Sequence, residues 1–296
     1  MYDIRNLDDL QKLKIEEQLL ALDDCGFFPK PHESETDFTE RAKKEFFLIP
    51  DISDEPMFIQ AETIPDEILK EGAERTIPIF GFSAHHIKGY FLKRGLGPFW
   101  AGCTLSDENN SSLFVLRNGF AKSRKYLFYE RSELLAHEQC HAARTPLHDN
   151  VFEEQFAYMT SNSAFRRYFG NCFRSQSDAF VFLAGVIILL LAEFVIFSGV
   201  AEFQIWPFVI VAFLGPLFLF FRNQISRCIY FKAKHNLLQV GFFQPDALLF
   251  RATASEIKSI AKLPGTELTD YLNILRIYEL RWKIALMKFP NSNINE

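Results

Sequence analysis

The sequence predicts an α+β fold that carries a two-helix membrane hairpin and a helical carboxy-terminal tail. Three observations predict it. Short β-prone runs cluster between residues 77 and 129, with helix-forming patterns on either side. Two nearly uncharged runs, 179–200 and 205–221, stand in tandem. Each approaches the roughly 20 residues that cross a bilayer. Runs of strands followed by runs of helices suit α+β order, not the alternation of a parallel-sheet protein.

Residues 7–23 read as an amphipathic helix, with Leu10, Leu13, Leu19, Leu20 and Leu22 among charges. Gly26, Pro29 and Pro31 end it. A second helix is expected over 36–47, where acidic residues precede basic ones as the helix dipole prefers. A third is expected near 65–74. Strands are predicted at 77–82, 99–105, 112–117 and 125–129. Asp107 to Asn110 separates the second and third as a hairpin loop, and Asn118-Gly119 is a further hairpin-turn signal. The run Leu113-Phe114-Val115-Leu116 is apolar on both faces, so it should be covered on both. A helix follows at 131–144, capped by Ser132 and stopped by Pro146, and another at 150–160.

The run 179–200 holds one charge, Glu193, close enough to its end to snorkel. The run 205–221 holds none, and Pro207 and Pro216 mark kinks in it. Arg166, Arg167 and Arg174 precede the hairpin, and Arg222, Arg227, Lys232 and Lys234 follow it. The connecting loop has only Glu202. Positive charge stays on the cytoplasmic side, so both termini and the metal motif are expected in the cytoplasm. In the tail, Thr253 and Glu256 form a capping box that opens a helix to about Lys262. Pro264-Gly265 breaks it, and a long amphipathic helix over 267–288 is expected to pack against the catalytic domain or a partner copy.

Composition excludes some classes. With a net charge of −5 and no basic stripe, the chain lacks the electrostatic footprint of a nucleic-acid binder. Five scattered cysteines, without a C-x-x-C pair, argue for a reducing compartment and against a disulfide framework. The first residues show no basic-then-apolar signal, so a cleaved signal peptide is not expected.

The chemistry concentrates in His137-Glu138-Gln139-Cys140-His141. Residues four apart share a helix face, so His137 and His141 can present two imidazoles to one metal. Glu138 sits beside them, where a general base for a metal-activated water is needed. Cys140 should point into the core. Catalytic zinc takes three protein ligands and keeps one position open. Three candidates offer the third: Glu154, its neighbour Glu153 about 100° around the same helix, and His148. The His-rich metzincin pattern would require glycine at 144 and histidine at 147, where this chain has Arg144 and Leu147. Tyr126, Tyr129, Tyr158 and His148 are candidates to stabilise an oxyanion.

His137-Glu138-x-x-His141 with Glu154-x-x-Ala157 downstream resembles the gluzincins, zinc metallopeptidases whose third ligand is a glutamate on a following helix. The membrane setting is similar to integral-membrane members of the CAAX-protease and heat-shock-protease type. The resemblance covers about residues 110–160. It implies a zincin-like catalytic domain over 77–170, after a helical lead-in over 1–76. The hairpin region over 171–224 and a cytoplasmic helical region over 225–296 would follow. It further implies zinc held by His137, His141 and Glu154, with Glu138 as catalytic base in the hydrolysis of a peptide or protein substrate. An edge strand binds substrate backbone in that family, and Ser112–Arg117 would be that strand. Two features depart from the pattern. Tyr158 stands where the family commonly has an aspartate that holds a zinc-bound histidine, and only 12 residues separate His141 from Glu154. The Tyr158 departure supports the other expectation, a zinc-binding but inactive membrane scaffold that binds partners.

Overall fold

Burial at helical spacing decides most of the elements. A computed structural model describes residues 10–47, 58, 61–93, 101–106 and 112–291. Helices α1 (Ile15–Asp24) and α2 (Glu35–Phe47) lead in, followed by β1 (Glu62–Thr63) and α3 (Asp66–Phe80). Next come β2 (Gly89–Leu92), β3 (Gly102–Ser106), β4 (Ser112–Arg117) and one helical turn, α4 (Gly119–Lys122). The short hairpin β5 (Lys125–Tyr126) and β6 (Tyr129–Glu130) runs into α5 (Arg131–Arg144), which carries the histidines. Then follow α6 (Glu153–Met159), α7 (Ala164–Phe169), α8 (Gln176–Phe197) and α9 (Trp206–Gln239). Four helices close the chain: α10 (Pro245–Phe250), α11 (Ala254–Lys262), α12 (Gly265–Tyr278) and α13 (Leu280–Lys288). The protein is α+β, mostly helical, with one small sheet and a separate two-stranded hairpin.

The sheet order is β1-β2-β4-β3. Strand β4 lies parallel to β2 and antiparallel to β3, with Ser106 opposite Ser112. The hairpin loop expected at 107–110, like residues 99 and 100 of the second predicted strand, falls outside the described residues. Phe114 and Leu116 face one apolar cluster with Leu134 and Leu135 of α5, and Leu113 and Val115 face another. The double-sided apolar run is thus covered on both faces. It is therefore interior: β1 and β3, not Ser112–Arg117, are the edges of the sheet among the described residues. Ser112–Arg117 is not the expected edge strand because β2, distant in sequence, pairs with β4 on its other side.

Several local expectations are corrected. The lead-in helix is interrupted at 12–14, where the Lys14 backbone N–H donates to Glu17 Oε2 at 3.1 Å and restarts the helix. Residues 7–9 lie outside the described residues. Residues 77–80 belong to α3, not to a strand. Leu69, Gly72, Ala73, Thr76 and Phe80 are its buried face, a helical period that continues past Pro78. Asn118-Gly119 opens a helical turn, while the reversal comes at Leu127-Phe128, so the strand predicted at 125–129 folds back on itself. Glu130, not Ser132, occupies the cap position of α5. The tail helix breaks at Glu279, whose carboxylate sits 2.6 Å from His32 Nδ1 and accepts the His32 backbone N–H.

Helices α8 and α9 are long and apolar enough to cross a membrane, and little of the most apolar stretch of either is buried inside the protein. They approach closely at Gly185, where an added Cβ would stand 3.0 Å from Ala212 Cα. Arg222 holds Asp178 at 2.7 Å across their base. The second helix exceeds its predicted length. It spans 34 residues, about 51 Å, because Tyr230, Ala233 and Leu237 continue into the main core. That core also takes Phe80, Phe82, Phe156 and Phe250, with Phe250 stacked on Phe80 at 4.2 Å. The carboxy-terminal helices therefore dock directly behind the histidine helix.

Candidate metal centre

Glu138, Gln139 and Cys140 are buried, while His137 and His141 keep partial exposure on the open face of α5. Gln139 bonds the Leu69 carbonyl at 2.9 Å. Its side chain fills the space above Gly72, where a Cβ would come within 2.8 Å. Glycine at 72 thus lets α3 press against α5 from behind. Cys140 points into the core as expected. The chain then turns at 145–152. Asp149 directs that turn: its Oδ1 accepts the N–H of Val151 at 2.7 Å and of Phe152 at 3.2 Å, while its Oδ2 pairs with Arg144. Both side chains of the Arg144–Asp149 pair are fully buried, and Arg144 also donates to the Phe250 carbonyl. Helix α6 therefore starts in a set position, with Phe156 and Ala157 wholly buried beneath it.

That position brings Glu154 to the histidines. His137 Nε2 and His141 Nε2 are 3.1 Å apart. Glu154 lies 3.7 Å from the first and 3.5 Å from the second. Ligand atoms about 2.0–2.1 Å from one tetrahedral zinc would stand about 3.3 Å from each other, so the donor set and its spacing fit a zinc-sized ion. Among the described residues this is the one group of three His, Cys, Asp or Glu side chains placed to share an ion.

Glu153 does something the spacing alone did not reveal. Its Oε1 lies 3.0 Å from His141 Nδ1, the nitrogen turned away from the group. A carboxylate there fixes ring orientation and tautomer, the task expected of the residue at the Tyr158 position. Tyr158 instead lays its ring edge-on to His137, with centroids 4.6 Å apart. His148 is exposed in a left-handed turn and is not brought to the group.

Glu138 faces the other wall, where Thr104 Oγ1 on β3 donates to its Oε2 at 2.7 Å. The open cleft between them, ≈680 Å³, is walled by β3, α5 and α6, and Tyr129, Tyr158 and Arg166 reach its rim. Tyr126 is not among its walls. The sequence presented Arg166 only as a flanking cation. Here it bonds Glu133 at 2.7 Å and stacks over Tyr129.

The electrostatics are those of an acid-rich pocket. Burial pushes the Glu138 carboxyl up, against His141 and the Thr104 hydrogen bond, which pull it down. Burial raises Glu154 to about 7, opposed by His141 and assisted by Glu138 and Glu153. For His141, burial favours the neutral ring, but the Glu153 hydrogen bond and three carboxylates outweigh it and raise the pKa to about 9. Burial holds His137 well below its ordinary value, with His141 and Arg166 adding repulsion. A bound cation would relieve this competition between carboxylates. The chain matches no protein-family model, no curated protein and no solved structure with which it was compared.

Proposed function

We propose that the chain is a membrane-anchored zinc metalloendopeptidase with a zincin-like catalytic domain, related to the gluzincins. The observation that carries this reading is the convergence of His137, His141 and Glu154 to within 3.1–3.7 Å, with Glu138 beside them and Glu153 behind. His137, His141 and Glu154 would hold a zinc ion, which would supply a Lewis acid and bring the pKa of a water down toward about 7. Glu138 accepts the water's proton and passes it to the leaving amine; a carboxyl raised by burial suits both halves of that exchange. Thr104 holds the same carboxylate in place. Glu153 keeps His141 oriented. Tyr158, kept protonated by burial, and Arg166 offer donors at the rim for a developing oxyanion. Strand β3, which no further strand covers among the described residues, can take an extended peptide as an added strand beside Glu138.

Helices α8 and α9 then form the anchor, a hairpin across the bilayer. The arginines and lysines at its base keep the catalytic body and both termini on the cytoplasmic side. The test uses the full chain in nanodiscs, assayed for zinc content and against a panel of peptides and membrane-protein fragments. Wild type should carry one zinc and cleave. Glu138→Gln should carry one zinc and lose about 10²–10⁴-fold in turnover. A zinc-bearing wild type that cleaves nothing would leave the scaffold reading. Protein without stoichiometric zinc would end the metallopeptidase reading.

A further inference from the structure

A second cleft, of ≈600 Å³, adjoins the metal centre and shares Tyr129, His137, Glu154, Tyr158, Arg166 and Phe173 with it. Beyond the shared polar residues its walls are apolar. Phe165 and Phe169 come from α7 and Phe173 from the turn beyond it. Phe182, Leu219 and Phe220 come from the roots of α8 and α9. Arg166 and Glu154 are its charged wall residues, and Arg166 is already engaged by Glu133. The roots are also where the Arg222–Asp178 pair ties the two helices together. The cleft thus starts at the ligands and ends where the hairpin would enter lipid.

Its rim is unusual for a water-facing surface. Phe165 is 70% exposed and Phe173 46% exposed; Phe128, whose carbonyl accepts from Arg166 of the cleft wall, is 86% exposed. Large apolar side chains grouped around a concavity mark a binding surface. Continuity with the centre indicates the occupant. The cleft opens beside the ligands and joins the first cleft, which is walled by β3, an edge strand of the sheet among the described residues. An extended peptide could pair with that edge while its apolar side chains fill the cleft; a lipid acyl chain has no use for the edge.

We propose that this cleft binds an apolar stretch of the substrate polypeptide next to the scissile bond, with the hairpin roots as its floor. The chain that is cut is then one held at the bilayer surface, not a free polar peptide. The inference rests on the peptidase reading for its choice of occupant, but its test needs no turnover.

Zinc-loaded Glu138→Gln protein in nanodiscs is irradiated with a peptide that carries photo-leucine in an apolar run, and the adducts are mapped by mass spectrometry. Adducts should fall on 164–173 and 216–220. A further Phe165→Lys/Phe173→Lys change, at two exposed positions, should cut labelling about tenfold with zinc content and melting temperature unchanged. Adducts scattered over the surface, or labelling unaffected by the lysines, would overturn the proposal. So would a photoreactive phospholipid that labels the cleft and is not displaced by the peptide. Labelling confined to the cleft, with no cleavage by wild type, would refute the peptidase reading and leave the apolar site standing.

Discussion

Two charged clusters lie on opposite sides of the core, and they are built on opposite principles. Behind the core, Asp23 meets Arg251 at 2.6 Å and Lys288 at 2.7 Å, and Lys288 also reaches Asp24 at 2.5 Å. Acids and bases are matched, and Arg251 spends its remaining donors on the Phe80 and Ala247 carbonyls. Burial works against the Asp23 carboxylate, yet its two cations overcome it and hold the pKa below the ordinary value. In front, Glu138, Glu153 and Glu154 crowd two imidazoles, and burial drives Glu138 and Glu154 upward. Matched charge joins the first and last helices of the described chain. Unmatched acid, open to a cleft, is suited to take up a cation.

The sharpest way to break the contrast is to remove the acid that completes the front cluster. Glu154→Ala should abolish stoichiometric zinc, because two imidazoles alone do not make the three-ligand site that catalytic zinc requires. Glu153→Gln should keep the zinc but weaken its affinity about 10–100-fold, the usual cost of losing the group that orients a ligand. Metal analysis after dialysis against a graded chelator separates the two. The reverse ranking would exchange their roles.

The rear cluster offers the next largest effect. Asp23→Asn leaves Arg251 buried without its carboxylate and should destabilise the protein by about 3–5 kcal/mol near neutral pH. Chemical denaturation in detergent micelles reads it. The pH dependence has a definite sign. The folded pKa of Asp23 is depressed, so its contribution is complete above the unfolded value of about 3.9. It is lost as pH falls through the folded value, and the gap between wild type and variant should close in acid. Zinc stoichiometry should not change. A variant that also sheds zinc would show that the clusters act as one unit.

The front cluster was more legible in the sequence than the rear one, for a physical reason. His137 and His141 are related by helix spacing, and Glu154 lies in the first turn of the next helix, so all three candidates fall close together in sequence. Strand β4 and the α11 capping box, where Thr253 and Glu256 exchange hydrogen bonds, were legible for the same reason. What periodicity could not supply was long-range. Asp23 and Arg251 are 228 positions apart. The break at Glu279 depends on His32, and the sheet edge depends on β2 crossing to pair with β4. Glu153 was visible only as a rival to Glu154. Its hold on His141 needs the turn that Arg144 and Asp149 build, and Arg144 is anchored in turn by the distant Phe250 carbonyl.

Thr104 is the finest test of the unmatched cluster, because it adjusts one carboxyl without changing the number of charges. Its hydroxyl lies 2.7 Å from Glu138 Oε2 and 3.2 Å from the carbonyl of the same residue. A hydrogen bond given to the ionised form favours that form, so Thr104 offsets part of the rise that burial imposes on Glu138. Thr104→Val preserves the β-branched shape on β3 and removes the donor. The Glu138 pKa should climb further, and the acid limb of the kcat/KM profile should move to higher pH. At neutral pH the loss should be about 1 kcal/mol, a few-fold in rate, and should recover as pH rises. Thr104→Ser, which restores the donor, should restore the profile. A loss equal at every pH would mean that the Thr104 hydroxyl only shapes the strand, and that the Glu138 carboxyl is governed by burial, His141 and the Thr104 backbone.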